Sequence, residues 1–72
     1  MSSQNLDEKS FENLVRFYEG DLRKILEGVD IDEVLTQGDR GKLSSAGILS
    51  YVNATWMVTE RARNILGYDS YS

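Results

Sequence analysis

The chain has 72 residues with no cysteine and no histidine, which excludes a disulfide or thiolate metal site and removes the commonest metal ligand and general base. At this length one domain with a small core is expected, burying about 60% of the surface of the unfolded chain. Twelve acids against eight bases give a net charge of -4, which on average opposes a polyanionic partner.

That average hides an asymmetry. Residues 1–37 hold nine acids and four bases, a balance of -5, whereas residues 38–72 hold three acids and four bases, a balance of +1. The two ends are therefore expected to face different partners. No apolar run approaches the roughly 18 residues of a membrane span, and the start Met1-Ser2-Ser3-Gln4-Asn5 lacks the basic and apolar regions of a signal peptide. The expectation is a soluble, cytoplasmic protein with no membrane partner.

Residues 1–9 read as a flexible start. Ser10 is the first candidate helix cap, since Phe11, Leu14, Val15, Tyr18, Leu22, Ile25 and Leu26 then recur at helical spacing. The stripe either runs through Gly20 or breaks at Gly20-Asp21, with Asp21 capping a second short helix. Gly28 can take the left-handed turn that ends this region.

Asp30 stands three residues before Glu33, a variant capping box, and Ile31, Val34 and Leu35 give a helix of about two turns one apolar face. After Thr36-Gln37-Gly38, Asp39 can cap a third helix over 40–46, with Leu43 and Ala46 inward and Gly47 at its end. The period then changes. Ile48, Leu49, Tyr51 and Val52 before Asn53, with Trp56, Met57 and Val58 after it, predict a hairpin of two short strands. Ala46, Leu49, Val52, Trp56 and Ala62 also fit one helix face, which keeps an all-α small bundle as the alternative. Thr59 caps a closing helix anchored by Ile65 and Leu66 and ended by Gly67. The domain so read spans 10–67, and residues 68–72 form a flexible tail.

Catalytic signatures are missing. Lys42 lies only two residues from Ser44, a spacing at which helical side chains do not face each other. Gly38-Asp39-Arg40-Gly41-Lys42 lacks the spacing of a phosphate-binding loop. Asp30, Asp32 and Glu33 are explained by a helix start and its dipole. No enzymatic activity, metal, cofactor or small-molecule substrate is expected.

The segment Leu43-Ser44-Ser45-Ala46-Gly47-Ile48-Leu49 looks like a recognition helix running into the first strand of a wing. Trp56-Met57-Val58-Thr59-Glu60-Arg61-Ala62-Arg63-Asn64-Ile65-Leu66 resembles the second wing strand passing into a closing helix. Over about residues 29–67 the chain resembles winged helix-turn-helix transcription regulators of bacteria, archaea and their viruses. The resemblance implies an α+β, mainly α fold: three helices, a two-stranded wing hairpin and a closing helix.

It also implies double-stranded DNA as partner, with a helix in the major groove. Arg40 is then the base reader, because its fork can hold guanine bidentately. Lys42, Ser44 and Ser45 hold phosphates or bases, Gln37 touches the backbone from the turn, Asn53 is the wing contact and Arg61 gives support. A local charge of +1 offers little counterion release, so a homodimer on paired half-sites is expected. Its candidate contact is the aromatic set Phe11, Phe17 and Tyr18 on the first helix, where Phe17 lies partly off the core stripe. The rival is a non-catalytic, acidic protein-protein interaction module, an adaptor or inhibitor.

Overall fold

The computed structural model describes residues 7–68. Five helical segments and one hairpin follow in the order α1 (Glu8–Phe17), α2 (Glu19–Leu26), α3 (Ile31–Val34), α4 (Gln37–Ser45), β1 (Leu49–Val52), β2 (Thr55–Val58) and α5 (Glu60–Leu66). This is a mainly helical α+β fold with an antiparallel hairpin and a closing helix, a winged-helix-like layout. The hairpin excludes the all-helical alternative.

Helix α1 starts earlier than Ser10. The Asp7 carboxylate accepts from the Ser10 backbone N–H at 2.7 Å, so Asp7 is the cap and Glu8 and Lys9 belong to the first turn. The same bond holds the Asp7 carboxyl below its ordinary pKa. Residues 1–6 and 69–72, assigned to the flexible ends, lie outside the described part.

The break between α1 and α2 falls at Tyr18 rather than at Gly20-Asp21. Tyr18 ends one segment and begins the next, yet its N–H donates to the Leu14 carbonyl and its carbonyl accepts from Leu22. One apolar stripe therefore continues through a bend. Phe11, Val15, Tyr18 and Leu22 are all buried along it.

Gly28, with φ of 107°, turns the chain out of α2, and Asp30 caps α3. Only one turn forms, because Leu35 is already extended, shorter than the two turns anticipated. Thr36 rather than Asp39 caps α4: its hydroxyl accepts from the Asp39 N–H at 3.1 Å. The helix thus begins at Gln37, and Asp39 sits in its first turn, where an acid suits the dipole.

Gly47, at φ of 87°, lets the chain reverse so that Ile48 N–H bonds to Leu43 O and Gly47 N–H to Ser44 O. That turn delivers Ile48 and Leu49 into the core. The strands pair as Leu49↔Val58, Ser50↔Met57, Tyr51↔Trp56 and Val52↔Thr55. Asn53 and Ala54 close the loop with φ of 55° and 62°, the signature of a type I′ turn whose twist suits a two-residue hairpin. Thr59 locks the base of the hairpin, donating through its hydroxyl to Gly47 O at 2.8 Å and through its N–H to Ile48 O. Its hydroxyl also caps α5.

The core joins the α1–α2 stripe to Leu35, Leu43, Ile48, Leu49, Val58, Ala62 and Leu66. Tyr68 belongs with the fold rather than a tail: it packs against this core, with the Arg23 guanidinium 5.4 Å over its ring. No described helix is long and apolar enough to cross a membrane.

Candidate nucleic-acid interface

Helix α4 has one buried residue, Leu43, which fixes its rotation about its axis. With Leu43 inward, helical geometry puts Gln37, Gly41 and Ser45 on one outward row and Gly38 and Lys42 on the next. All five are exposed, as is Ser44 at the edge of the face.

The two remaining charges of the helix are used internally. Asp39 accepts from the Tyr18 hydroxyl at 3.0 Å. Burial of the phenol, reinforced by this carboxylate, raises the Tyr18 pKa above the ordinary value. Arg40, expected to project as the base reader, folds back: its Nη1 donates to Asp32 at 2.9 Å and to the Leu35 carbonyl at 3.1 Å, and its side chain is 20% exposed. Sequence spacing could not reveal this, because the partner carboxylate lies on α3 and becomes a neighbour only after the chain turns at Leu35.

The other arginines are also engaged. Arg16 pairs with Glu12 and Glu19, and Arg23 binds Glu19 and the Leu66 carbonyl. The Glu19 carboxylate, followed by Tyr68, raises the Arg23 pKa further. Arg63 caps the Val58 carbonyl at 3.1 Å. Arg61 lies 3.9 Å over the Phe11 ring, beside Glu8 and Glu12 in a shallow groove between α1 and α5. It is thus exposed but committed to a different cluster from Gln37, Lys42, Ser44 and Ser45.

Asn53 stands exposed at the hairpin tip. Around it the hairpin is apolar, with Tyr51, Val52 and Met57 at 58%, 47% and 46% exposure. Of the three aromatic residues expected at a dimer contact, Phe11 and Tyr18 are core residues at 1% and 8% exposure and cannot meet a second subunit. Phe17, 77% exposed and edge-on to Tyr18, faces outward.

Two features escaped the sequence. Thr36, three residues before Asp39, carried a recognisable capping signal that Asp39 itself overshadowed. Trp56, half-buried against the core, and the exposed Tyr51 line a groove with Asp30 and Asp32, two carboxylates that the sequence explains only as a helix start. Among the described residues no group of acids is arranged to hold a metal ion. Comparison with protein-family models, with curated proteins and with solved structures finds no match.

Proposed function

We propose that the protein is a DNA-binding transcription regulator that acts by occupying its site, with the outward face of α4 against the major groove. The observation that carries this is the acid-free surface left on α4 once Asp39 is held under Tyr18 and Arg40 is folded onto Asp32. An anionic groove would meet Gln37, Gly38, Gly41, Lys42 and Ser45, and no carboxylate among them.

The glycines support the same reading. Each costs an exposed helix about 0.5–1 kcal/mol relative to alanine. A side chain at Gly41 would meet nothing within 4 Å, so no internal packing demands the small residue. Close approach of an external surface gives it a purpose. Gln37, at the N-terminal end that enters the groove, can pair with the adenine edge, Lys42 and the serine hydroxyls can hold phosphates, and Asn53 can touch the backbone from the hairpin. Arg40 becomes a positioning residue that fixes α4 against α3.

One lysine on this face neutralises few phosphates, so affinity rests on two copies bound to paired half-sites. Phe17 is the exposed aromatic side chain on the N-terminal helices that such pairing would cover. Duplex titration by fluorescence anisotropy over a range of salt tests the proposal. Binding that weakens with salt supports it; no binding at low ionic strength rejects it.

One observation favours a second reading as a non-catalytic protein-interaction module. Val52 and Met57, on the outer face of the hairpin, place an apolar, uncharged surface where phosphate contact calls for cations.

A further inference from the structure

The inner face of the hairpin forms one wall of a groove of about 490 Å³, with the α2–α3 junction opposite. Its size lies within the roughly 300–1,000 Å³ of sites that enclose small ligands. Trp56 and Tyr51, ring centroids 4.9 Å apart, line it together with the apolar side chains Ile25, Val29 and Ile31. Its charged lining is acidic, Asp30 and Asp32, with no lysine or arginine. Asp32 is already paired with Arg40, whereas Asp30 makes no ion pair among the described residues.

The backbone adds a second kind of contact. The sheet has two strands, β1 running beside α4 and β2 beside α2, so the free edge of β2 borders this groove. In an antiparallel ladder hydrogen-bonded and non-hydrogen-bonded pairs alternate, and Val52↔Thr55, flanking the two-residue turn, is hydrogen-bonded. Tyr51↔Trp56 is then the non-bonded pair. The Trp56 N–H and C=O therefore point away from β1, where an added strand would meet them.

We infer that the groove binds an extended segment of a partner protein carrying an arginine or lysine. The segment pairs with the β2 edge at Trp56 and sets its cationic side chain between the aromatic rings and Asp30. Charge decides among occupants. The segments 1–6 and 69–72 contain no lysine or arginine side chain to complement the carboxylates. A second copy docked edge to edge would bring two acidic rims together, and a nucleic acid would be repelled. The inference is independent of the DNA-binding proposal, which concerns the outward face of α4.

Trp56 is the single tryptophan, so its fluorescence reports on this groove alone. The probe is the capped peptide Thr-Val-Arg-Val-Thr, titrated without DNA beside the same peptide with Glu in place of Arg. The Arg peptide is expected to give a saturable change in Trp56 emission, with shifted amide resonances at Val29 and Trp56, and the Glu peptide to bind several-fold more weakly. Asp30→Asn preserves a side chain that caps α3 equally well and should loosen the Arg peptide about two- to fivefold. No saturable change at millimolar peptide overturns the inference, as does equal binding of the Glu peptide. So do amide shifts confined to the outer hairpin face at Val52 and Met57. A peptide-free dimer that occludes Trp56 would assign the groove to a second copy instead.

Discussion

The Tyr18 hydroxyl donates to Asp39 across 3.0 Å, joining the bend between α1 and α2 to the first turn of α4. One bond thus anchors the helix, and Asp39, one turn before the buried Leu43, stands on the inward row and off the outward face. Tyr18→Phe should cost about 1 kcal/mol in urea-monitored stability, the scale of one net hydrogen bond.

The same bond sets an alkaline limit. Because the folded-state pKa of Tyr18 is raised, the stability it contributes is fully present below the ordinary tyrosine pKa near 10 and is lost as pH rises through the higher folded value. Thermal midpoints measured from neutral pH into that range should fall more steeply for the parent chain than for Tyr18→Phe. Parallel curves would contradict the assigned cause.

Arg40 and Lys42 should separate two kinds of contribution. Arg40→Ala removes a strut between α3 and α4, and for a partly exposed ion pair the stability loss should be up to about 1 kcal/mol. Lys42→Ala should leave stability within about 0.5 kcal/mol while lowering the salt slope of duplex binding by about 1. Denaturant curves and salt titrations of both variants check the division. An Arg40→Ala effect on binding confined to one base pair, with stability unchanged, would restore Arg40 as a reader.

Ala54 sits in the left-handed region at φ of 62°, where an L side chain crowds its own carbonyl. Ala54→Gly should therefore stabilise the hairpin by roughly 0.5–1 kcal/mol, Asn-Gly being the favoured type I′ pair. A higher thermal midpoint with unchanged α-helical dichroism is the expected result.

Much of this architecture was legible in the sequence because local signals agreed with tertiary packing. The period of the apolar residues after Ser10, the change of period at Gly47, and Thr59 as a cap all match what forms. Boundaries moved where two caps competed: Asp7 displaced Ser10 and Thr36 displaced Asp39, each gaining one turn of helix. The face of α4 was legible only in part. Lys42, Ser44 and Ser45 are exposed as their spacing requires, whereas Gln37, expected in the preceding turn, opens the helix, and the inward fate of Arg40 depends on Asp32, a partner set by tertiary geometry. The groove at Trp56 was invisible for the same reason, since its walls are distant in sequence.

The most direct measurement is a salt titration of duplex binding by the parent chain and Gly41→Glu. Gly41 lies in open space within a helix, so glutamate should fold there without loss of stability while placing a carboxylate on the outward row of α4. The account predicts salt-sensitive binding by the parent chain and none by an equally stable Gly41→Glu. A parent chain that ignores DNA at low ionic strength, or a Gly41→Glu variant that binds as well as the parent, would contradict it.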